Sequence, residues 1–578
     1  MPVITCLQRP SLLRTLTAYI TVRLFSIPLL IGGILTAPDQ AWAAEYQLDI
    51  RKEMVNITGQ PMQRVTVNHV LPAPTLTWTE GEDVVVHVTN HMDEPSSVHW
   101  HGILLPGYMD GVKGLNNYPG IEPGETFTYR FTVRQNGTYW YHSHTNGQEQ
   151  DGLYGALIIR PEGIDPIKSD RDTVVMFSDF SNETADEILG NLKLSSDYYN
   201  TARRTVGDFF SDVKEKGWKL AWQSSVDWGD MRMSPTDLAD VSGYTFLING
   251  KTPQQNWTQT FIPGETVRMH MINASAMSFY DVRILDSEKK RLKMTVVQAD
   301  GRNVEPVPVD EFRFGVAETY DILVTPMEDK AYTIVAEPID RSGFAIGTLA
   351  PREGMKGLMP EQRPRALLTM ADMGMKHDMS AMDHSKMSDA EMADMMTQMR
   401  SGWAKTGAPR GDKALSYADL RFFGEQADTR REEREIVVAL GGNMERYIWT
   451  MNGKTMEDAE PVALRYGERV KLTFVNETMM AHPMHLHGMF VQLDNQQPLN
   501  KLPDKTVVIV PPGKSYSVLL TADEPGEWSF HCHLLYHMAS GMMSKVVVAT
   551  LDEASVLDKK IVPAVHTTPS ALGGTHAH

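Results

Sequence analysis

Cysteine is nearly absent from this sequence, which contains two in 578 residues, Cys6 and Cys532. Cys6 lies in an N-terminal segment that we expect to be removed. The mature chain then keeps a single thiol, and an internal disulfide is excluded. In an oxidising compartment a lone thiol is a liability unless it is buried or bound to something. Cys532 is therefore a candidate metal ligand.

An excess of positive charge and long apolar runs are also missing. The 73 acidic residues outnumber the 55 basic ones, for a net charge of −18. Nucleic-acid binding is disfavoured because it requires basic patches, whereas the negative charge suits attraction of cations. The main apolar run, LFSIPLLIGGIL (24–35), follows three arginines and precedes AWA (41–43). This pattern predicts a signal peptide over residues 1–43. A permanent membrane anchor is the disfavoured alternative because the run is short for a span.

Three strand-like motifs each occur three times along the chain. The copies are EGEDVVVHVTN (80–90), PGETVRMHMIN (263–273) and YGERVKLTFVN (466–476); PGETFTYRFTV (123–133), GVAETYDILVT (315–325) and PPGKSYSVLLT (511–521); GTYWYHSH (137–144), KAYTIVAE (330–337) and GEWSFHCH (526–533). Alternating β-branched and aromatic residues between Gly/Pro turns are typical of sandwiches and barrels. The sequence therefore predicts an all-β protein with three related domains.

We predict domain 1 at 44–162, domain 2 at 163–350 and domain 3 at 413–556, with a linker at 351–412 and a C-terminal tail at 557–578.

Eight histidines keep the register of the repeat. In domains 1 and 3, a His-x-His pair begins nine residues after the first motif's final Asn, and another begins five residues after the third motif's Gly. These histidines are His99, His101, His142, His144, His485, His487, His531 and His533. The same offsets in domain 2 give Val282, Ile284, Val335 and Glu337. Because residues i and i+2 of a strand share a face, we expect the four pairs to hold metal where domain 1 meets domain 3, with domain 2 as a spacer.

The motif HCH (531–533) separates two metal sites by the same alternation. His531 and His533 point to one face of the strand, and Cys532 points to the other. His482, Cys532, His537 and Met542 then form a His₂Cys set with a weak axial methionine, which is the ligand set of blue-copper electron-transfer sites. A structural zinc site is the rival interpretation. Zinc has no redox use for eight further histidines, so copper is favoured.

The motifs HWHG (99–102), YWYHSH (139–144), HPMHLHG (482–488) and HCHLLYHMASGMM (531–543) resemble the four copper motifs of the multicopper oxidases. Stretches such as NGQEQDGLYGALIIRP (146–161) resemble the bacterial copper-resistance branch, CopA/PcoA. The resemblance implies three cupredoxin-like Greek-key β-barrel domains. It also implies four coppers per chain, one of type 1, one of type 2 and a type 3 pair, which oxidise a substrate by single electrons and reduce O₂ to water.

The resemblance also assigns each ligand. Type 1 copper would be bound by His482, Cys532, His537 and Met542, and type 2 copper by His99 and His485. His101, His142 and His533 would bind one type 3 copper, and His144, His487 and His531 the other. Asp110, in YMDGV, is placed like an acid that serves the cluster in relatives. With Cys532 it is our candidate catalytic residue, although a turn aspartate in an Asp-Gly step is the alternative.

Residues 373–399, MGMKHDMSAMDHSKMSDAEMADMMTQM, are crowded with Met, His and Asp. Thioether sulfur suits Cu(I), so we expect this Met-rich insertion to bind additional cuprous ions. A helix that buries its methionines and a disordered linker are the alternatives.

The leading hypothesis is a periplasmic oxidase of Cu(I) that uses O₂ and confers copper resistance. A periplasmic copper carrier is a candidate partner, and Sec export is favoured because the signal has no Arg-Arg pair. A laccase-like phenol oxidase and a copper-sequestering protein are the alternatives. A copper nitrite reductase fits the three repeats less well.

Overall fold

The computed structural model describes residues 44–230, 234–369, 372, 403, 407–409 and 411–550. The predicted signal peptide, the methionine-rich segment 373–399 and the tail 557–578 lie outside these residues. Among the described residues, no helix is both long and apolar enough to cross a bilayer.

Domain 1 consists of two four-stranded sheets, with strand orders β2-β1-β4-β6 and β3-β8-β7-β5. Its strands are β1 (Ala44–Asn56), β2 (Pro61–Val67), β3 (Ala73–Thr79), β4 (Asp83–Asn90), β5 (His99–His101), β6 (Thr126–Thr132), β7 (Gly137–His142) and β8 (Tyr154–Arg160).

Domain 2 has sheets of six and five strands, ordered β10-β9-β12-β17-β14-β15 and β11-β19-β18-β13-β16. Its elements are β9 (Arg171–Phe180), α1 (Ala185–Leu194), α2 (Val206–Lys216), α3 (Trp218–Asp230), β10 (Thr245–Ile248), β11 (Trp257–Thr260), β12 (Val267–Asn273), β13 (Tyr280–Leu285), β14 (Met294–Ala299), β15 (Arg302–Val309), β16 (Phe312–Phe314), β17 (Thr319–Val324), β18 (Tyr332–Pro338) and β19 (Ala345–Ala350).

Domain 3 repeats the six-and-five arrangement, with orders β21-β20-β23-β28-β25-β26 and β22-β30-β29-β24-β27. Its elements are β20 (Arg434–Asn443), β21 (Ile448–Met451), β22 (Val462–Arg465), β23 (Arg469–Asn476), β24 (His482–Leu486), β25 (Val491–Leu493), β26 (Asp504–Lys505), β27 (Val507–Val510), β28 (Ser515–Thr521), β29 (Gly526–Cys532), α4 (Leu535–Ala539) and β30 (Met543–Ala549).

The sequence repeat corresponds to one strand arrangement used three times. The first motif forms β4, β12 and β23, each parallel to the first strand of its domain and antiparallel to the strand of the second motif. The third motif forms β7, β18 and β29, each next to the domain's last strand. The expected class, mostly β with three cupredoxin-like domains, is confirmed, whereas the individual domain bounds stay predictions.

The asparagine that ends the first motif has the same structural role in each domain. The side-chain amides of Asn90, Asn273 and Asn476 each donate to one backbone carbonyl of the loop that follows and to one or two carbonyls just before the strand of the second motif. Each side-chain oxygen accepts a backbone N–H two residues on. An unpaired buried backbone group costs about 1–3 kcal/mol, so this asparagine fixes the loop that leads to the next sheet.

Three helices between β9 and β10 were not predicted. Helices α1 and α2 begin at capping boxes, Thr184 with Glu187 and Thr205 with Asp208. In a capping box the side chains at the two ends of an S/T-x-x-E/D motif each accept the other's backbone N–H. The two boxes are visible in the sequence as TADE and TVGD, but the repeat from which the fold was predicted indicates strands alone.

The buried apolar residues that the structure describes form two cores. One belongs to domain 1. The other runs continuously through domains 2 and 3, also includes Trp140, Tyr154 and Ala156 of domain 1, and contains Cys532 and Met542. Domains 2 and 3 are therefore packed as one body around the mononuclear candidate site.

Candidate metal centres

The mononuclear candidate site lies inside domain 3. Cys532 ends β29, His482 begins β24 and His537 lies in α4. Cys532 Sγ is 3.5 Å from His482 Nδ1 and 3.8 Å from His537 Nδ1, and the two nitrogens are 3.2 Å apart. All three side chains are fully buried, as is Met542. The N–H of Met542 donates to the carbonyl of His537, which brings the methionine back beside the ligands.

Buried groups from two domains hold the outer nitrogens of this site. His482 Nε2 is 2.7 Å from Thr478 Oγ1. His537 Nε2 is 2.6 Å from a carboxylate oxygen of Asp240, which also accepts the hydroxyl of Tyr447 at 2.7 Å. Asp240 belongs to domain 2, in the loop between α3 and β10. Both histidines thus present Nδ1 to the cysteine sulfur.

The eight repeat histidines meet where domain 1 contacts domain 3. In domain 1, His99 lies opposite His142 on the paired strands β5 and β7. In domain 3, His485 lies opposite His531 on β24 and β29.

The closest nitrogens of this histidine cluster lie about a hydrogen-bond length apart. His531 Nε2 is 3.3 Å from His144 Nε2 and 3.1 Å from His487 Nε2. The rings of His101, His142 and His533 have centroids 5.0–5.8 Å apart. The structure therefore places all twelve predicted ligands at two sites. Which histidine binds which copper stays a prediction.

The outer nitrogens of the cluster are held by carbonyls and carboxylates. His99 Nδ1 donates to the carbonyl of Asp110 at 2.8 Å, and His487 Nδ1 lies 2.8 Å from its carboxylate. His485 Nδ1 donates to the carbonyl of Thr506 at 2.8 Å. A histidine that donates one ring N–H to such a partner has the other nitrogen fixed toward a metal.

Domain 2 holds a charged network where the other domains hold histidines. Val282 and Ile284 lie on β13 and Val335 and Glu337 on β18, the strands that correspond to the histidine-bearing pairs. A buried ion pair joins Arg283 and Glu337 at 2.8 Å. Among the residues that the structure describes, none of the groups of three or more candidate metal ligands includes a residue of this network.

Burial sets the protonation of the ligands. It lowers the pKa of His482 well below its usual value, and the neighbouring His537 lowers it further. It lowers the pKa of His531 to about 3. Burial also raises the pKa of the Cys532 thiol. His482 and His531 are therefore neutral and keep a lone pair for a metal, and metal binding at Cys532 must release a proton.

The residues fit copper. Among the residues that the structure describes, the buried Nε2 atoms of five cluster histidines have no hydrogen-bond partner, namely those of His99, His101, His142, His485 and His533. An unpartnered buried polar atom costs about 1–3 kcal/mol, which a bound metal ion would offset. A thiolate with two imidazoles and a thioether at the other site is the set that copper takes in electron-transfer proteins.

Several residues that support these sites were not predicted. Asp300 of domain 2 accepts the backbone N–H groups of Thr506 and Val507 at 2.9 Å each and pairs with the buried Lys505 at 3.0 Å. It thereby fixes the carbonyl that His485 uses.

From the sequence, His270 is a strand residue of no special role, but its ring lies 2.9 Å from Asp321 and 2.8 Å from Thr138 of domain 1.

Sequence profiles of the multicopper oxidase family match residues 49–163, 192–351 and 430–552. The chain belongs to the multicopper oxidase family. Copper resistance protein A of Escherichia coli is 45% identical over 87% of this chain and 92% of its own. A protein of the same name from Pseudomonas syringae pv. tomato is 42% identical over 90% of this chain and 97% of its own.

The fold is similar to that of solved multicopper oxidases. Fet3p, described as a multicopper oxidase that functions in iron import, superposes with a TM-score of 0.64 at 20% identity over 90% of this chain and 95% of its own. The laccase from Botrytis aclada gives 0.62 at 21% identity over 89% and 91%. At these identities the likeness establishes the fold.

Proposed function

We propose that this multicopper oxidase oxidises Cu(I) to Cu(II) with O₂ as the electron acceptor and protects the cell from cuprous toxicity. The observation that carries the proposal is the adjacency of the two sites. Cys532 and the cluster histidines His531 and His533 are consecutive residues, so one peptide unit separates a one-electron entry site from the histidine cluster. The name of the copper resistance proteins, which are 42–45% identical, supports copper as the substrate.

The ligands are proposed as the family resemblance assigns them. His482, Cys532, His537 and Met542 would hold type 1 copper; His99 and His485 type 2 copper; His101, His142 and His533 one type 3 copper; and His144, His487 and His531 the other. Bound copper would supply one-electron redox chemistry, accepting electrons singly and delivering four to O₂.

The chain's own residues would keep both sites in place during turnover. Asp240 and Thr478 hold the outer nitrogens of the mononuclear site, so the ligands need little rearrangement between oxidation states. Asp110 holds two cluster histidines and stays our candidate acid for O₂ reduction. The complete burial of Cys532 keeps other oxidants and thiols away from the sulfur.

We propose a periplasmic location and export by Sec. The predicted signal peptide and the similarity to copper resistance proteins support this location, which is an oxidising compartment. The burial of Cys532 would protect its thiol from oxidation there before copper binds. The methionine-rich segment 373–399 is proposed to gather Cu(I) for oxidation, and a periplasmic copper carrier is proposed as its supplier. Soft thioether ligands support this role.

The test is O₂ uptake by the copper-loaded protein with a chelated Cu(I) donor and, separately, a phenolic donor. We expect faster uptake with Cu(I) and none with either donor in Cys532→Ser. Uptake with phenol alone would make the chain a laccase-like oxidase. Uptake with neither donor, despite bound copper, would leave copper sequestration as its function.

A further inference from the structure

Glu149 is a buried carboxylate at the histidine cluster that belongs neither to the four copper motifs nor to the proposed ligand set. It is 3% exposed, and its Oε2 lies 2.8 Å from Nδ1 of His142, which is itself 1% exposed. That nitrogen also lies 3.0 Å from the carbonyl of Ser143. Ligand atoms of Glu149, His142 and His533 all lie within 4.8 Å of one another. The carboxylate is thus part of the cluster wall.

The turn that carries Glu149 is fixed on both sides. The side chain of Gln148 makes its hydrogen bonds within domain 1. Its oxygen accepts the hydroxyl of Ser96 at 2.8 Å, and its NH₂ group donates to the carbonyl of Pro95 at 2.8 Å. Gln150 binds domain 2, donating to the carbonyl of Asp179 at 2.8 Å and accepting from Tyr244 at 3.0 Å. The neighbours of Glu149 therefore anchor the turn, and Glu149 alone of the three faces the histidines.

The turn also packs closely against the start of α1. A Cβ on Gly147 would lie 2.0 Å from the Cβ of Ala185 at the start of α1. The N–H of Ala185 in turn donates to Asp151 at 3.1 Å. The position of Glu149 is thus set by contacts with two domains.

We infer that Glu149 is a positioning residue for the type 3 copper pair. Its carboxylate oxygen accepts the Nδ1–H of His142 and so directs Nε2 of that ring, which has no partner among the described residues, toward the copper. The carboxylate of Asp110 does the same for His487, and its backbone carbonyl does so for His99. Buried carboxylates of Asp110 and Glu149 thus lie behind different ligands of the cluster. This inference rests on the proposed ligand assignment.

The physical basis is the strength of a charge-assisted hydrogen bond. A bond to a carboxylate is roughly twice as strong as one between neutral groups. The loss of such a partner behind a ligating histidine typically weakens metal binding about 10–100-fold. The second oxygen of Glu149 has no partner among the described residues. An ion pair with a lysine or arginine among those residues therefore does not explain why this carboxylate is buried.

The experiment compares Glu149→Gln, Glu149→Asp and Gln150→Met with the wild type, each reloaded with copper from the apoprotein. It measures the rate at which a chelator removes copper, the fraction of bound copper that is detectable by electron paramagnetic resonance, and the blue band. In Glu149→Gln we expect copper of the coupled pair to be released about tenfold faster or more, with an unchanged blue band. Glu149→Asp, which keeps the charge, should retain the pair better. Gln150→Met should unfold at a lower temperature but keep the pair.

Release in Glu149→Gln within about twofold of the wild type would overturn the inference, as would equal losses in Glu149→Gln and Gln150→Met. If Glu149→Gln cannot be obtained folded, Glu149→Ala, which also removes the carboxylate, is measured in its place, and release within about twofold of the wild type then overturns the inference. A wild-type protein that shows no coupled pair at all would instead refute the ligand assignment. Substrate preference does not enter any of these readouts.

Discussion

Replacing Asp240 by alanine should damage the mononuclear copper site from the neighbouring domain. Asp240 is 2% exposed, and one of its oxygens contacts both His537 Nε2 at 2.6 Å and the Tyr447 hydroxyl at 2.7 Å. The alanine variant leaves two buried groups without a partner, at about 1–3 kcal/mol each. His537 also loses the hydrogen-bond partner that orients its ring. The loss of such a partner typically lowers metal affinity about 10–100-fold.

Two measurements check this prediction. Urea unfolding of the apoprotein should show a loss of about 2–6 kcal/mol for the two unpartnered groups, and copper titration should show weaker development of the blue band. Asp240→Asn keeps an acceptor oxygen for both partners, so its losses should be clearly smaller. The matched control is Asp286→Ala, which removes another buried carboxylate of domain 2 that pairs with Lys330 at 2.9 Å but contacts no copper ligand.

The result that would refute this reasoning is a normal blue band with normal copper affinity in Asp240→Ala. The contact would then be incidental, and the ring of His537 would be held by packing alone. Trp449 stacks on that ring with centroids 3.8 Å apart, and it would be the source of the orientation.

The remaining predictions concern the two sites, the segment between domains 2 and 3, and a buried ion pair. Cys532→Ser should abolish the blue band, and a surviving band would disprove the type 1 assignment. His533→Ala should stop O₂ uptake but keep the blue band; full turnover would mean that the cluster lies elsewhere. Deleting 373–399 should slow Cu(I) oxidation more than oxidation of a small organic donor, and equal slowing would argue for a structural role. Lys505→Met should destabilise the apoprotein by about 3–5 kcal/mol, because it leaves Asp300 and Glu318 buried without their cation; unchanged urea unfolding would contradict this.

The arrangement of the strands could be predicted because short sequence motifs indicate it. Alternating residues, Gly/Pro turns and an asparagine at a fixed place recur three times, and these are short-range signals. The helices α1 to α3 were missed although Thr184 and Thr205 begin capping boxes. The repeat indicates strands alone, and an insertion that occurs in a single domain leaves no periodic signal.

The ligands could be predicted for the same reason, whereas the groups that contact the outer nitrogens of the ligand histidines could not. Histidines two residues apart on a strand share a face whatever the domain packing is. Asp240 lies 297 residues from His537, which it contacts, and nothing in its surrounding sequence indicates that partner. Glu149 lies within the stretch NGQEQDGLYGALIIRP (146–161), but the direction of its side chain depends on Gln148 and Gln150 and on their contacts with two domains.

The supporting contacts change the interpretation of domain 2. Its strands carry no His-x-His pair, and from the sequence we expected a spacer. A spacer would leave the copper sites dependent on domains 1 and 3 alone, but Asp240 reaches His537 and Asp300 holds the carbonyl that orients His485. Since domains 2 and 3 also share a core, a change that loosens their packing should reach both copper centres together. Domain 2 therefore acts as the rigid support that fixes ligands of both sites, although it binds no copper itself in the proposed assignment.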